Sequence, residues 1–231
     1  MSDERRIKEG DFVRLNFTGR IKESGEVFDT TVEDEAKRSG IYDNNYSYKP
    51  IVVQVGKGQL VKGLDKELIG KTIGKYTIEL KPEDAFGFRS AKLLRLMPRG
   101  VFKKHNIDPI PGLRVNIDGV LATIVSTTGN RILVDYNHPL AGKEVVYEVE
   151  ILGFVDDNVE RTRAMIDYYL GINDPEIVSV KEEGDGIKVV IKPKTKDENK
   201  ESVVQLLKEE VEKLKKDFEE SLGKKVEFVI E

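Results

Sequence analysis

The stretch 51–70 constrains the fold of this chain more than any other segment. Its first five residues are mostly β-branched and predict a strand. Gly56 and Gly58 then permit backbone angles that other residues avoid, so the strand is expected to end there. The segment 60–69 places its apolar residues on one helical face. The sequence therefore predicts a strand, a glycine turn and a short helix in immediate succession.

The start of this predicted helix is a candidate binding surface. Leu60, Val61 and Leu64 present apolar side chains there. The first backbone N–H groups of a helix have no partner inside it, so they are free to face the carbonyl group of a ligand. The alternative is an ordinary core helix, and the stretch taken by itself favours that alternative.

Composition excludes several classes of chemistry. The 231 residues include no cysteine, which excludes disulfides, thiol catalysis and zinc–thiolate sites. The two histidines, His105 and His138, are too few for a histidine metal cluster. The chain has no run of apolar residues long enough to cross a membrane and no apolar leader after Met1, so a soluble cytoplasmic protein is expected.

The net charge of −4 conceals a basic segment at 88–114. This segment contains seven lysines and arginines and one acidic residue, Asp108, which gives it a net charge of +6. Such a segment is either a solvated face or a docking surface for an anionic partner.

Alternating apolar and polar residues predict further strands in the first half of the chain. The predicted elements are strands at 12–17, 20–23, 26–30 and 75–80, a break at Thr18-Gly19 and a helical turn at 32–39. Asp29 ends one of these strands, where a carboxylate either points into a cleft or fixes a turn. Position alone favours the turn.

The second half of the chain predicts a small β-rich module and then a mixed segment. The predicted elements are strands at 93–97, 113–117, 120–126, 131–136 and 144–154, a short helix at 99–105, a helix from Asn158 as its cap to Leu170, strands at 177–180 and 187–191, a helix at 200–222 and a strand at 225–230.

Five ordered motifs resemble those of the FKBP-type peptidyl-prolyl isomerases. They are Phe17-Thr18-Gly19, Val27-Phe28-Asp29, Val55-Gly56 together with Lys62-Gly63-Leu64, the segment 82–87 and the segment 145–152. The segment between Gly87 and Asn137, which closes on Asn-His-Pro-Leu-Ala-Gly, resembles the insert-in-flap domain of the SlyD-like branch and of long archaeal members. The resemblance covers about residues 5–154.

The resemblance implies an α+β fold in which a half-barrel of antiparallel strands wraps around one short helix. It implies that residues 1–87 and 137–154 form a discontinuous isomerase domain and that residues 88–136 form an inserted β-rich chaperone domain. Residues 155–231 carry none of these motifs, and their own pattern of helices and strands predicts a C-terminal α/β domain.

Carried over residue by residue, the resemblance also implies a proline-binding pocket. Asp29 is expected to orient the twisted amide, the Val61 backbone N–H to hold the substrate carbonyl, and Leu64 to form the floor. Phe86 and Tyr147 complete the implied catalytic set. The implied substrate contacts in the pocket are Phe17, Phe28, Ile51, Leu60, Leu64 and Leu140. In the insert, Leu96, Met97 and Phe102 belong to a set of apolar residues larger than a module of about fifty residues easily buries. They are expected to line a partly exposed groove for unfolded segments, and the alternative is that they form the core of the module.

This chain departs from the family pattern at four pocket positions. The family usually has Trp where Leu64 stands, Tyr where Phe17 and Phe86 stand, and an aromatic residue at Ile51. Turnover is expected to persist, with weaker binding of macrolide inhibitors. SlyD-like proteins often end in a histidine-rich metal-binding tail, which this chain lacks, so neither a metal nor another cofactor is expected.

Three functions remain open from the sequence. The first is an isomerase that also holds unfolded or nascent polypeptides through its insert, acting as folding catalyst and chaperone. The second is a chaperone with a degenerate isomerase site, which Leu64 and Ile51 permit. The third is a ribosome- or nucleic-acid-associated factor that uses the basic segment. The first is favoured because Asp29, Val61 and Phe86 all occupy their expected places.

The helix at 200–222 suggests pairing of two chains. Its apolar residues alternate steps of three and four, as in a coiled-coil seam: Val204, Leu207, Val211, Leu214 and Phe218. The alternative is that this stripe packs on the strands of its own domain. The final strand is expected at a sheet edge, where a second copy could add to it.

Overall fold

The described part of the chain, residues 5–194 and 200–231 of a computed structural model, contains three β-sheets. In chain order the elements are β1 (Phe12–Ile21), β2 (Val27–Thr30), α1 (Glu33–Arg38), β3 (Ile51–Gln54), α2 (Lys62–Leu68), β4 (Gly74–Leu80), β5 (Leu94–Pro98), α3 (Arg99–Lys104), β6 (Arg114–Ile117), β7 (Val120–Thr128), β8 (Arg131–Asp135), β9 (Val145–Phe154), α4 (Asn158–Leu170), β10 (Val178–Glu183), β11 (Gly186–Ile191), α5 (Lys200–Leu222) and β12 (Lys225–Ile230). Two 3-10 turns add Pro82–Asp84 and Ala91–Leu93. The fold is mixed α and β with mostly antiparallel sheets.

The first sheet has the strand order β2-β1-β9-β4, and β3 also pairs with β1. The predicted break at Thr18-Gly19 is wrong, because β1 runs without interruption from Phe12 to Ile21. A shift of register between Gly19 and Arg20 takes up the irregularity against β2. Pairing with β9 on the other side holds this stretch of β1 extended, which local sequence does not reveal.

Helix α2 packs against this sheet, and the predicted order of strand, glycine turn and helix at 51–70 is confirmed. Leu64 and Leu68 are almost completely buried and join the apolar side chains of β1, β4 and β9 in one core. Gly63 permits this packing, since a Cβ there would lie 2.7 Å from the Asp84 carbonyl oxygen. The turn at Pro82–Asp84 therefore rests directly on the helix.

The second sheet has the order β5-β8-β7-β6 and its own core. Hydrogen bonds at its base join the two chain segments that enter and leave it. The Ser90 N–H donates to Asn137 Oδ1 at 2.8 Å, and Asn137 Nδ2 donates to the Ser90 carbonyl at 3.1 Å. Arg89 also pairs with Asp135, which is buried. The two chain crossings into this sheet are thereby held side by side.

The third sheet has the order β10-β11-β12, with β11 and β12 parallel. Helices α4 and α5 share its core, which extends to Phe12 and Val52 of the first sheet. The predicted cap of α4 is wrong by one residue. Asp157 caps the helix, because its side chain accepts the Glu160 N–H at 2.7 Å. The αL conformation of Gly171 ends the helix.

The apolar stripe of α5 faces its own domain. Val211, Phe218 and Leu222 are buried against the third sheet, and Leu207 and Leu214 pack beside them. The predicted edge position of β12 is confirmed. Within residues 5–194 and 200–231, no helix combines the length and apolar character needed to cross a membrane.

Candidate active site

Four aromatic side chains, here called the aromatic cluster, meet on one side of the first sheet: Phe17, Phe28, Phe86 and Tyr147. The ring of Phe28 stands edge-on to both Phe86 and Tyr147, with centroids 5.7 Å apart in each case. Phe17 lies 5.9 Å from Tyr147 at a tilted angle. These T-shaped contacts are the favoured geometry of aromatic pairs, so the rings form a preorganised apolar wall.

Gly19 makes room for this wall. A Cβ at Gly19 would lie 2.5 Å from Phe28 Cζ and 3.0 Å from Tyr147 Cε1. Gly19 is also paired in register with Asp29 on β2 and with Tyr147 on β9. The glycine of the Phe-Thr-Gly motif therefore matters for the position of two rings rather than for a turn.

The floor beneath the wall is the start of α2. Leu64 is 1% exposed, while Leu60, Val61 and Ile51 are half-buried at the edge of the same core. The backbone N–H of Val61 has no acceptor among the described residues. A backbone donor thus stands free beside an apolar floor, as a carbonyl ligand requires.

Asp65 holds the loop that leads to this floor, and sequence reasoning missed it. The residue is 6% exposed, and its carboxylate accepts the Gly56 N–H at 2.8 Å and the Gly58 N–H at 3.0 Å. The signal for it was local. A carboxylate in the first turn of a helix, just after a glycine loop, is well placed to accept backbone N–H groups.

Asp29 lies at the mouth of the site. Its side chain is open to solvent, yet desolvation by the surrounding protein raises the pKa of its carboxyl, and a hydrogen bond from the Thr30 N–H partly offsets this. Exposure and desolvation are compatible because a carboxylate in a concave site meets water on one side only. Burial, and then the charge of Asp29, also raise the pKa of the Tyr147 hydroxyl, so it remains protonated.

His138 is a second residue that the sequence did not single out for this site. Its ring stacks on Phe86 with the centroids 4.7 Å apart and the planes 1° from parallel. Its Nδ1 accepts the Leu140 N–H at 3.2 Å, so that nitrogen is unprotonated. Desolvation, with the nearby charge of Arg114, lowers the pKa of His138. The neutral ring thus ties the loop of Leu140, which is buried, to the aromatic cluster.

The residues expected to contact substrate in the insert divide between two faces of the second sheet. Phe102 is 1% exposed in the core of this sheet, and Met97 faces the same core. Met97 lies on the core side of β5, because neighbouring residues of a strand alternate between faces, and Phe102 reaches the same core from α3. Leu96 is 65% exposed on the opposite face, directly across from Leu133 in the pairing of β5 and β8.

Comparisons with known proteins identify relatives of this chain. A family model described as the FKBP26 IF domain matches residues 95–140. The short-type peptidyl-prolyl cis-trans isomerase of Methanocaldococcus jannaschii is 32% identical over 146 residues, which are 63% of this chain and 92% of that protein. The SlyD isomerase of Helicobacter pylori is 30% identical over 140 residues, covering 58% of this chain and 76% of that protein.

A third relative extends the same pattern. The probable FKBP-type 16 kDa isomerase of Pseudomonas fluorescens is 30% identical over 155 residues, covering 64% of this chain and 92% of that protein. Each of the three relatives is named as a peptidyl-prolyl cis-trans isomerase. The chain therefore belongs to the FKBP-type peptidyl-prolyl cis-trans isomerases.

Proposed function

We propose that the aromatic cluster, the start of α2 and Asp29 form the pocket in which this isomerase turns X–Pro bonds. The observation that carries the proposal is the convergence of Phe28, Phe86 and Tyr147 beside Asp29 and over Leu64. These residues come from β2, β9, α2 and the loop after β4, and together they line one apolar site.

The chemistry asks little beyond such a site. Rotation about an X–Pro bond takes tens of seconds unaided, because it must break an amide resonance worth a barrier of about 18–20 kcal/mol. The twisted amide is less polar than the planar one, so a water-excluding pocket favours it. A millionfold acceleration requires about 8 kcal/mol of such preference.

Individual roles follow from position. The Val61 N–H binds the carbonyl of the substrate, and Leu64 supports the proline ring. Asp29, kept close to the neutral Tyr147 hydroxyl, orients the twisted amide. Phe86 has no hydroxyl to donate, and one ordinary hydrogen bond contributes about 0.5–1.5 kcal/mol, so macrolides are expected to bind less tightly than to a site with Tyr there.

We propose three domains, with bounds 1–87 plus 137–154, 88–136 and 155–231. The three sheets with their separate cores support this division, as does the IF-domain match at 95–140. Residues 88–136 are called the insert from here on.

We propose further that the insert holds unfolded polypeptides near the pocket. Its core residues face one side of the second sheet, while large apolar side chains remain on the surface: Phe88, Leu94, Leu96, Ile110, Leu113, Val120, Leu121 and Val125, each at least 38% exposed. Large apolar side chains that remain exposed in such number are suited to bind apolar segments of an unfolded chain. Basic residues along the same segment provide a polar rim.

Surface substitutions test the holding role without disturbing the insert core. The double variant Leu96→Ser with Leu121→Ser removes two side chains that are 65% and 60% exposed. It should lose suppression of aggregation and isomerise an unfolded-protein substrate several-fold more slowly, with a proline tetrapeptide unaffected. Deletion of residues 88–136 should do the same. The matched control is Ile73→Ser, at a residue that is 58% exposed just before β4 and outside the insert. Equal losses on both substrates would exclude a separate client site.

A ribosome-associated role is the weaker alternative. Two of the seven basic residues of segment 88–114 are already paired within the chain, Arg89 with Asp135 and Arg99 with Asp108. Fewer free charges remain for a polyanion. Co-sedimentation with ribosomes at rising salt concentration distinguishes the two, since phosphate contacts weaken steeply with salt.

We also propose that the C-terminal domain pairs two copies of the chain. The stripe of α5 packs inside its own domain, so pairing must use the outer edge of β12 and the exposed Leu206 instead. Two inserts would then hold one client at raised effective concentration. Light scattering of the full chain and of residues 1–154 tests this. A monomeric full chain at micromolar concentration contradicts it.

A further inference from the structure

A cleft of about 530 Å3 lies between β3 and α4, outside the aromatic cluster. It is called the β3–α4 cleft here. One side consists of residues 49–53 and the other of α4, with Ile172 and Pro175 continuing that wall. Tyr168 anchors the helix to the first domain by donating to the Gly58 carbonyl at 3.4 Å. The cleft is therefore built jointly by the first and third sheets.

The β3 side of this cleft is an open strand edge. Among the described strands β3 pairs only with β1, so its other edge has no strand partner. The Val55 N–H donates to the Asp11 carbonyl, next to the ladder between β1 and β3. Val55 is therefore a position whose backbone N–H points toward β1. By alternation the N–H and C=O of Val53 point to β1, whereas those of Val52 point into the cleft. Gln59 Oε1 takes the outward N–H of Gln54 at 2.7 Å.

The α4 side offers space and charges of both signs. Ala164 presents only a methyl group opposite β3, between the exposed Arg163 and the half-buried Asp167. Arg14 and Glu160 neutralise each other in an ion pair at the same cleft. With Lys49 on the β3 side, the cleft is lined by three basic and two acidic residues, so charge gives it little preference, whereas its open backbone groups suit another extended backbone.

The cleft is continuous with the proposed proline pocket. Ile51 lines the cleft and also packs on the core that carries the aromatic cluster. Tyr46, in the loop between α1 and β3, lies near both places. Partial burial raises the pKa of its hydroxyl, and the charges of Asp29 at the pocket and Asp167 at the cleft add to the rise. One side chain thus lies within electrostatic reach of both places.

We propose that the β3–α4 cleft extends the substrate groove and receives the residues flanking the target proline of an extended polypeptide, which pairs with the open edge of β3. This inference rests on the proposed proline pocket and gives the C-terminal domain a part in substrate binding. Recognition through backbone groups is tolerant of sequence, which suits an isomerase that acts on many unfolded chains.

The test compares a proline tetrapeptide with ten-residue peptides that share its X–Pro core and extend it on the N-terminal or the C-terminal side. Six added residues span about 20 Å at the rise of a strand. The full chain should show a kcat/KM about tenfold higher for one of the two extensions, the size that two backbone hydrogen bonds give. Ala164→Trp fills the cleft and should abolish this gain while tetrapeptide turnover stays within about twofold. The control, Lys181→Trp, places the same side chain at an exposed site on β10 outside the cleft and should retain the gain.

Each result decides the matter. Equal kcat/KM for all three peptides, or a gain that survives Ala164→Trp, overturns the proposal. If Ala164→Trp fails to fold, a second measurement on the unaltered chain still tests the proposal. In that measurement the favoured ten-residue peptide carries a benzophenone crosslinker at its extended end. Crosslinks at 49–53 or 160–175 support the cleft, and crosslinks confined to residues 88–136 refute it. If the proposal of the proline pocket itself is wrong, the result differs: the unaltered chain and Lys181→Trp both fail to turn over the tetrapeptide.

Discussion

Replacing Asp65 by alanine should destabilise the loop that leads to the candidate active site, although Asp65 is not itself a proposed substrate contact. The residue is 6% exposed, and its carboxylate accepts two backbone N–H groups, those of Gly56 and Gly58, at 2.8 and 3.0 Å. A hydrogen bond to a charged group contributes about 1.5–3 kcal/mol. Two effects reduce this loss. Removing the carboxylate removes the cost of burying its charge, and the N–H groups of the exposed glycines can bind water instead. The expected net loss is therefore about 2–3 kcal/mol.

Asp65→Asn is expected to lose about half as much, because the amide keeps one acceptor and turns a donor toward the second N–H. Amide hydrogen exchange at Gly56 and Gly58, read by NMR, reports on this loop directly. Protection should fall about 30- to 150-fold in Asp65→Ala, which corresponds to the predicted free energy. Turnover of a proline tetrapeptide should fall as well, since Val61 and Leu64 follow the loop. Glu67→Ala, an exposed position on the same helix, is the matched control. Unchanged exchange and a stability change within about 0.5 kcal/mol would refute the reasoning.

Three shorter predictions concern the aromatic wall. Gly19→Ala should cost about 1–3 kcal/mol of stability and most of the turnover, because its Cβ would lie 2.5 Å from the Phe28 ring; a tetrapeptide assay at wild-type rates would contradict this. Desolvation raises the pKa of Asp29, so ionisation of this carboxyl destabilises the folded protein. This destabilisation is absent below the ordinary pKa of about 3.9, grows as pH rises above that value, and is complete above the raised pKa. Asp29→Asn should accordingly be the more stable protein in urea unfolding at pH 7 and equal at pH 3, and a less stable variant at pH 7 would have the wrong sign. His138 has a lowered pKa, so acid below its ordinary value of about 6.5 first costs stability and then protonates the ring, which breaks its bond to the Leu140 N–H. kcat/KM should decline on the acid side, and His138→Phe, which keeps the stacked ring, should remove that decline.

Local sequence patterns predicted most of the elements because their signals are local. The strand, glycine turn and helix at 51–70 depend on propensity and periodicity within twenty residues, and all three were confirmed. The break at Thr18-Gly19 was wrong because a glycine in a strand has two explanations. The true one, room for the Phe28 ring, depends on a residue of another strand.

The errors and omissions at the site have the same origin. Met97 and Phe102 were predicted as substrate contacts with a core position as the alternative, and local sequence could not decide between the two, because which face of a strand or helix is covered depends on the neighbours it meets. His138 lies 52 positions from Phe86 in the chain, and nothing local to either residue predicts that their rings stack. Asp65 could have been found, since both partners lie within nine residues of it.

The most direct test of the proposed pocket is the isomerisation rate of a proline tetrapeptide with the full chain and two variants, Asp29→Ala and Phe86→Ala. Circular dichroism would establish that both variants keep the fold, as expected for residues at the edge of the core rather than inside it. The pocket geometry predicts a loss of at least about tenfold in kcat/KM for each variant, equivalent to about 1.4 kcal/mol of transition-state stabilisation. Wild-type rates in both folded variants would show that catalysis takes place elsewhere in the molecule.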